Sequence, residues 1–279
     1  MILSDLIKQS AEKLKLSGAD SPLLDAQVLA ASALGIGRSQ LLTRPDIELD
    51  PAEVKKIRRS VSRRGKGEPV AYITGRKEFY SLDFEVNRNV LIPRPETELL
   101  VDLSIYYAPL NGSVLDIGTG SGAIAVALKH NRPDLQVSAS DISKKAVTVA
   151  GRNAGSILGP GKIKFMHGDL FAPMNGLIFD LIVSNPPYID PGKKDLLQRE
   201  LSLEPEIALF SGSAGAAHIE RIISEAPGYL SDEGALILEI DPSLKAAVDR
   251  SGIDSGFSVS IMNDYSSLAR VAILKRGGT

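Results

Sequence analysis

The strongest chemical signal in the chain is the tetrapeptide Asn185-Pro186-Pro187-Tyr188. Consecutive prolines lack backbone N–H groups and hold the chain extended, which leaves the carbonyl of Pro186 available to a ligand. Asn185 adds a side-chain acceptor, and Tyr188 adds a flat ring for packing. Such peptides also form ordinary surface turns. Here, however, the tetrapeptide follows an apolar run over 177–184, and open α/β sheets bind ligands at the carboxyl ends of their strands.

Two adjacent acceptors suit the two N–H groups of one planar NH₂, in an amide or an aryl amine. An amide nitrogen is a poor nucleophile because its lone pair is delocalised into the carbonyl. Acceptors on both N–H groups would increase its electron density and orient it. If the electrophile is an activated methyl sulfonium, orientation and electrostatics supply most of the catalysis. We therefore expect methyl transfer to nitrogen without a metal, and His130, His167 and His218 show no metal-ligand spacing.

A glycine-rich turn, Asp116–Gly122, supplies the second chemical signal. Its glycines allow a tight turn and a close approach to a ligand. The helix expected after it begins with unpaired N–H groups that suit a carboxylate or a phosphate. Asp141, at the end of the next predicted strand, is spaced to accept hydrogen bonds from a ribose diol. The pattern predicts a nucleotide-containing cofactor.

The identity of that cofactor is open from the turn alone. Gly118, Gly120 and Ala123 also satisfy the dinucleotide fingerprint, whose third position tolerates alanine. An acid at Asp116 before the first glycine, and a third glycine at Gly122, are typical of methyltransferases. These two features favour S-adenosylmethionine over NAD.

The elements that must position these residues alternate between strand and helix from about residue 111. Alternating strands and helices predict a mostly parallel sheet covered on both faces. The last two strands have no helix-length gap between them, so they should pair as an antiparallel edge hairpin. The fold class is α/β, a Rossmann-like seven-stranded sheet. The predicted strands cover 113–117, 135–140, 163–166, 177–184, 235–240, 257–261 and 269–274, and the main helices 123–129, 144–153 and about 215–226.

The chain is expected to contain two domains joined by a linker. Residues 1–75 read as small helices, with helix starts at Ser21-Pro22 and at a capping-box-like Asp50-Pro51-Ala52-Glu53. Residues 76–90 alternate in the manner of a β-hairpin, and 91–279 would form the catalytic domain.

Composition excludes several classes of protein. The chain has 279 residues, 43% of them hydrophobic, a net charge of −2 and no cysteine, which rules out disulfides and thiol nucleophiles. It lacks an apolar run of membrane-spanning length, and its start turns polar too early for a signal peptide. We expect a cytoplasmic monomer without stable nucleic-acid binding. Seven cations in 55–66 either contact a partner or form a solvated helix face.

The chain resembles the HemK/PrmC family, the glutamine N(5)-methyltransferases that modify peptide chain release factors. The resemblance covers nearly the whole chain, in family order. It is carried by Glu68-Pro69-Val70-Ala71-Tyr72-Ile73-Thr74-Gly75 with Glu78-Phe79-Tyr80, by Ile92-Pro93-Arg94-Pro95-Glu96-Thr97-Glu98, and by Asp116–Gly122, Asp141, Asn185–Tyr188 and Glu204-Pro205.

This resemblance implies a class I S-adenosylmethionine-dependent methyltransferase with a helical substrate-docking domain. It implies methylation of the glutamine in the Gly-Gly-Gln motif of release factors, with S-adenosyl-L-homocysteine as product and an effect on translation termination. The implied cofactor contacts are Gly118, Thr119, Gly120, Ser121, Gly122, Asp141, Leu170 and Asn185. The substrate glutamine would contact Asn185, Pro186, Pro187 and Tyr188, of which Asn185, Pro186 and Tyr188 would be catalytic.

The sequence departs from the family pattern at three places. Leu170 stands where an aromatic residue is common, and Asp241 stands where glycine is usual. The segment before Arg270 lacks its usual glycine.

Several alternatives remain open from sequence. A glutamine methyltransferase of a ribosomal protein would share the same tetrapeptide. An adenine-amino methyltransferase of DNA or RNA is a second alternative, because adenine presents a similar NH₂ group. A nucleic-acid methyltransferase would need a basic target-recognition domain and would act on a base flipped out of the duplex. An NAD-linked oxidoreductase would be distinguished by its cofactor. A non-catalytic RNA- or ribosome-binding module would not need Asp141 and Asn185 intact.

Overall fold

The computed structural model describes residues 1–197 and 199–276, which form two compact units. The first unit contains residues 1–76 and 199–203, and the second contains 77–197 and 204–276.

The first unit is helical, and its buried leucine, isoleucine and alanine side chains form its core. The capping box expected before its fourth helix is confirmed, because Asp50 Oδ1 accepts from the backbone N–H groups of Ala52 and Glu53 at 2.7 and 2.8 Å. Ser21 precedes the second helix, but its side chain makes no capping hydrogen bond, since its backbone (φ −128°, ψ 63°) is not extended and Pro22 fixes the start. The helices are α1 Leu3–Leu16, α2 Pro22–Leu34, α3 Arg38–Thr43, α4 Pro51–Gly65 and α5 Val70–Thr74.

The basic run on α4 is not a uniform solvated face. Arg64 is buried and forms ion pairs with Asp25 (2.6 Å) and Glu200 (2.5 Å). Arg63 donates both to Glu68 Oε2 and to Glu68 Oε1, at 2.7 and 2.8 Å. At least two of the seven cations therefore stabilise the helical unit itself.

A short hairpin and the α/β sheet with its helices follow. Hairpin strands β1 and β2 lie within the segment predicted as a hairpin, and the turn between them places Tyr80 and Ser81 at positive φ. The elements are β1 Arg76–Phe79, β2 Leu82–Glu85, α6 Glu98–Tyr107, β3 Ser113–Ile117, α7 Ala123–Asn131, β4 Gln136–Asp141, α8 Lys144–Leu158, β5 Lys164–His167, β6 Phe179–Ser184, α9 Ala217–Glu225, β7 Leu230–Glu239, α10 Lys245–Asp254, β8 Phe257–Asn263 and β9 Ala269–Arg276.

The sheet has seven strands in the order β5-β4-β3-β6-β7-β9-β8. Strands β3 to β7 are parallel, and β9 is antiparallel to both β7 and β8. The predicted parallel sheet with an antiparallel edge hairpin is confirmed. Strand β7 begins at Leu230, earlier than predicted. The prediction missed its first half because polar residues and Gly234 break the apolar pattern there. The pairing with β6 shifts register there.

Both faces of the sheet are buried, as the alternation of side chains in β3 illustrates. Val114 belongs to the core beneath α6, α7 and α8, whereas Leu115 belongs to the core beneath α9 and α10. The strand order reverses between β3 and β6, and this switch point is where an open α/β sheet leaves a crevice for ligands. The carboxyl ends of β3, β4 and β6 are therefore the place to look for a site.

Within residues 1–197 and 199–276, no helix is both long and apolar enough to cross a membrane.

Candidate active site

The glycine-rich turn connects β3 to α7, and its three glycines all require left-handed backbone. Gly118, Gly120 and Gly122 have φ of 71°, 57° and 82°. A Cβ built on Gly118 or Gly120 would meet no atom nearer than 4.0 Å, whereas one on Gly122 would lie 3.1 Å from the Cβ of Ala150. The first two glycines thus leave open space above the strand ends, and the third allows α7 to pack against α8.

Asp116 holds this turn from below. Its carboxylate is fully buried, and Oδ2 accepts from Thr119 Oγ1 at 2.6 Å and from the Ala125 N–H at 3.3 Å. Burial raises the pKa of Asp116 to about 7, although these two hydrogen bonds lower it. In the described part of the chain, Oδ1 of Asp116 is the one buried side-chain polar atom without a hydrogen bond. Thr119 is thereby directed at Asp116.

Asp141 lies at the end of β4 and is fixed through both carboxylate oxygens. Oδ2 accepts from the Gly120 N–H at 2.9 Å, and Oδ1 accepts from the Ser143 N–H at 2.8 Å. The turn is held to the same strand end, since the N–H groups of Gly118 and Thr119 both donate to the carbonyl of Ser140. Burial raises the pKa of Asp141, opposed by its hydrogen bonds.

Leu170 follows β5 with a positive φ of 43°, an unusual conformation for a leucine. Its carbonyl accepts from Ser140 Oγ at 3.2 Å, which ties the loop after β5 to β4. The side chain packs against the core beneath α9 and α10. Leu170 is consequently held beside Asp141, on the same wall.

Asn185 lies directly after β6. The preceding Ser184 donates through Oγ to the carbonyl of Ile117 at 2.7 Å, so the ends of β6 and β3 are joined. Asn185 Nδ2 donates to Thr97 Oγ1 at 3.1 Å. Because the amide nitrogen is engaged in this way, its oxygen Oδ1 is the atom left to accept from a ligand.

The segment directly after the tetrapeptide is hydrogen-bonded to the loop before α9. Ile189 N–H donates to the carbonyl of Leu209, and Ser211 N–H donates to the carbonyl of Ile189, both at 2.9 Å. A Cβ on Gly215 would lie 2.3 Å from the carbonyl oxygen of Tyr188, so only glycine permits this approach. Burial raises the pKa of the Tyr188 hydroxyl to about 12, and the nearby Glu239 adds to this shift.

Glu204, which with Pro205 belongs to the motifs that carry the family resemblance, is a further anchor of the site. The Glu204 carboxylate is buried, accepts from the Ile92 N–H at 2.9 Å and forms an ion pair with Arg94. The segment that precedes α6 is thereby joined to the loop that closes the site.

These elements enclose a cavity with about 880 Å³ of free space, part of it open to solvent. It brings together six of the residues predicted from the sequence: Gly118, Gly120, Asp141, Leu170, Asn185 and Pro187. The other predicted residues do not line it: Thr119, Ser121, Gly122, Pro186 and Tyr188.

His218 on α9 also lines the cavity, although no sequence pattern indicates a functional role for it. Its Nδ1 lies 2.8 Å from Ser211 Oγ, and burial lowers its pKa, which favours the neutral ring. Thr97 and Glu239 were likewise absent from the predicted set. They meet in the fold although 142 residues separate them, so no local pattern could have paired them.

Among the described residues, no three histidine or carboxylate side chains converge as a metal site would require. The donor groups of the cavity are instead glycine backbone, one carboxylate at a strand end and one amide. This set fits a nucleoside-containing ligand with a polar tail better than a bare cation.

Comparisons with known proteins agree with this geometry. Residues 5–75 match the family model described as the PrmC N-terminal domain, and residues 96–206 match the methyltransferase small domain. The chain is 43% identical to a release factor glutamine methyltransferase of Neisseria gonorrhoeae, over 91% of this chain and 93% of that protein. It is 40% identical to one of Vibrio cholerae, over 96% and 94%.

A solved structure supports the fold. The crystal structure of a methyltransferase from Pyrococcus furiosus superposes with a TM-score of 0.56, at 20% identity, over 72% of this chain and 92% of that chain. The seven-stranded sheet is thus that of S-adenosylmethionine-dependent methyltransferases.

Proposed function

We propose that this chain, which belongs to the release factor glutamine methyltransferase family, methylates the side-chain amide nitrogen of the glutamine in the Gly-Gly-Gln motif of a peptide chain release factor. The methyl group would come from S-adenosyl-L-methionine, leaving S-adenosyl-L-homocysteine, and the nitrogen would lose one proton to solvent. The observation that carries the proposal is the orientation of Asn185. Its Oδ1 is available as an acceptor on the wall of the cavity that Asp141 and the glycine turn also line.

The cofactor half of the cavity fits S-adenosylmethionine. Open space above Gly118 and Gly120 lets a ligand approach the backbone at these two residues. Contacts with Thr119, Ser121 and Gly122 are also proposed, but these residues do not line the cavity, so the turn would have to move when the cofactor binds. Asp141 would accept hydrogen bonds from the ribose hydroxyls, and Leu170 would cover the adenine. When bound, the cofactor supplies an activated methyl sulfonium, so the protein needs no nucleophile of its own.

The acceptor half would orient the amide. Pro186 and Tyr188 do not line the cavity in this structure, so their contacts require the tetrapeptide to shift when the substrate binds. Asn185 Oδ1 and the carbonyl of Pro186 would then accept from the two N–H groups of the glutamine, which raises electron density on nitrogen and aims its lone pair. Pro187 and the ring of Tyr188 would pack beside the side chain. Preorganised acceptors of this kind require no rearrangement during the reaction. Asn185 is also expected to contact the cofactor, because it borders both halves.

A Gly-Gly-Gln loop suits this cavity for a steric reason. Two residues without side chains let the loop enter a narrow opening and deliver one extended side chain. The proposed substrate is a cytoplasmic protein, and we propose that the enzyme acts there as a monomer. Effects on translation termination would follow from modification of the release factor.

We propose separate roles for the parts of the chain: docking of the release factor by residues 1–75, linkage by the hairpin region 76–90 and chemistry by 91–279. The helical unit has its own core and caps, and the predicted chemical residues all lie after residue 90. Charge-reversal variants of exposed cations in α4, such as Lys55→Glu with Arg59→Glu, should raise KM for the intact factor without changing cofactor affinity. An unchanged KM would remove this surface of α4 from the proposed role in docking.

The experiment that tests the function uses purified release factor with glutamine, asparagine or alanine in the Gly-Gly-Gln motif, and mass spectrometry to detect one added methyl. Asparagine is shorter by one methylene, so its nitrogen should miss the methyl group, and a misplacement of about 1 Å can cost on the order of 10²-fold. Equal methylation of the glutamine and asparagine forms would contradict the positioning mechanism. Ribosomal proteins and DNA are tested in parallel. Methylation of either one instead of the release factor would show that it, and not the factor, is the substrate.

A further inference from the structure

Three side chains form a hydrogen-bonded series that ends at the proposed substrate acceptor. Asn185 Nδ2 donates to Thr97 Oγ1 at 3.1 Å, and Thr97 Oγ1 donates to Glu239 Oε2 at 2.6 Å. Thr97 is 4% exposed and Glu239 is 1% exposed. The series therefore runs from the cavity wall into the interior, at the end of β7.

We propose that Thr97 and Glu239 are positioning residues, which fix the side-chain amide of Asn185 with Oδ1 toward the substrate nitrogen. The inference rests on the proposed function for its substrate, but the hydrogen-bonded series itself does not depend on which nitrogen is methylated.

Counting protons explains why this series specifies one orientation. The Thr97 hydroxyl carries a single hydrogen. An ionised Glu239 can only accept, so it takes that hydrogen and leaves the lone pairs of Thr97 Oγ1 to accept from Asn185. A flipped amide would then place Asn185 Oδ1 against Thr97 Oγ1 with no hydrogen between the two oxygens. The ionised carboxylate thus selects the amide orientation through the hydroxyl.

The selection depends on the charge of Glu239. Burial raises the pKa of Glu239 to about 7, while the Thr97 hydrogen bond and the nearby Arg270 and Arg94 lower it and Glu96 raises it. The charge of this carboxyl in turn raises the pKa of the nearby Tyr188 hydroxyl. A protonated Glu239 could donate to Thr97 Oγ1, which would release the hydroxyl hydrogen for a flipped amide. The rate of methyl transfer should therefore fall as pH decreases through about 7.

Thr97→Val and Thr97→Ser form a matched pair that separates the hydroxyl from packing. Valine keeps the shape of threonine without the hydroxyl, and serine keeps the hydroxyl without the methyl. Thr97→Val should lower kcat on the order of 10²-fold, the cost expected when a reacting group is misplaced by about 1 Å. It should leave KM for cofactor within about twofold. Thr97→Ser should recover most of the lost rate. Equal loss in both variants would indicate a packing role and overturn the proposal.

A double-mutant cycle tests whether Thr97 acts through Asn185. In an Asn185→Ala background the amide is absent, so adding Thr97→Val should change the remaining rate by less than about twofold. If the two substitutions instead lower the rate by the product of their separate effects, Thr97 acts independently of Asn185.

Glu239→Gln should also flatten the pH profile of the methylation rate near 7, because glutamine does not titrate. If the pH profile of the variant is the same as that of the wild type, Glu239 is not a positioning residue for Asn185.

A spectroscopic measurement keeps this inference distinct from the proposed function. With ¹⁵N-labelled asparagine, the side-chain NH₂ signal of Asn185 (identified by its loss in Asn185→Ala) should shift and exchange faster with solvent in Thr97→Val but not in Thr97→Ser. If the wild type methylates another acceptor, the substrate proposal fails and the variants are measured on that acceptor. If the NH₂ signal is unaffected by Thr97→Val, the positioning proposal fails whatever the substrate.

Discussion

The two walls of the cavity are held in place by different means. The cofactor wall is fixed mostly by backbone N–H groups. Those of Gly118 and Thr119 donate to the backbone carbonyl of Ser140. Those of Gly120 and Ser143 donate to the carboxylate of Asp141. The acceptor wall depends on side chains, because Asn185 is oriented by Thr97, which is oriented in turn by Glu239.

Sequence separation sharpens this contrast. Only 21 residues separate Gly120 from Asp141, whereas 88 separate Asn185 from Thr97. The first wall is one strand–turn–helix–strand unit, so most side-chain substitutions around it should leave its backbone hydrogen bonds intact. The second wall combines three distant segments, so a single buried substitution can misorient it. The predictions that follow test this difference, beginning with the largest expected effect.

Removing the acceptor amide should have the largest effect. Asn185→Ala should lower kcat for release-factor methylation by about 10² to 10³, the usual cost of losing one preorganised polar contact. Calorimetry should show cofactor affinity changed by less than about tenfold. Asn89→Ala is the control, because Asn89 also lines the cavity but lies outside the tetrapeptide. Comparable turnover of wild type and Asn185→Ala would break the proposed division between the walls.

The sequence separations also explain which residues of the two walls could be predicted from the sequence. The seven strands, the glycine turn, Asp141 and Asn185 were predicted because each depends on periodicity or on a local motif. Thr97 lay within a recognised segment, Ile92–Glu98, yet nothing local indicated which of its side chains would face Asn185. Glu239 ends an apolar strand, and a pattern of buried positions gives no reason for one of them to be acidic. His218 reaches the cavity because α9 packs on the core to which Ile117 and Ile182 also belong.

Glu239 in the acceptor wall should also make the free energy of unfolding depend on pH. Glu239 has a folded pKa of about 7 against an ordinary value of 4.5, so the folded state binds its proton more tightly than the unfolded state. Its contribution to stability is complete below about pH 4.5 and is lost as pH rises through 7. Since one pKa unit corresponds to about 1.4 kcal/mol, a shift from 4.5 to about 7 corresponds to a loss of about 3.5 kcal/mol at most.

Glu239→Gln removes this titration and provides the measurement. Urea unfolding of both proteins between pH 4.5 and 8 should show the variant gaining stability relative to the wild type as pH rises. The comparison cancels the similar contribution of Asp116, which both proteins retain. A difference that stays constant with pH would show that Glu239 does not titrate in this range.

On the cofactor wall, Asp141→Ala should weaken binding and spare chemistry. A hydrogen bond to a charged group contributes roughly 1.5–3 kcal/mol, so calorimetry should show S-adenosylmethionine affinity falling by about 10- to 100-fold. At saturating cofactor, kcat should stay close to that of the wild type. Asp169→Ala is the matched control, because Asp169 lines the same cavity but is half exposed and paired with Arg221. Equal losses of S-adenosylmethionine affinity in both variants would show that Asp141 does not make the ribose contact. Tight binding of NADH would overturn the choice of cofactor.

The smallest expected difference lies within the glycine turn itself, between Gly118→Ala and Gly122→Ala. Both positions have positive φ, so both alanines carry a similar backbone strain of about 1–2 kcal/mol. They differ in what the new methyl group meets. At Gly122 it lies 3.1 Å from the Ala150 Cβ and 3.2 Å from its Cα, and the α7–α8 packing must yield. At Gly118 it enters open space. Overpacking typically costs about 1–3 kcal/mol, so Gly122→Ala should unfold more easily than Gly118→Ala by about 1 kcal/mol in urea titrations. Cofactor affinity should rank in the opposite order, because the methyl group at Gly118 occupies the space proposed for the ligand. If Gly118→Ala proves the less stable and binds cofactor normally, the turn is a structural element and the cofactor wall lies elsewhere in the cavity.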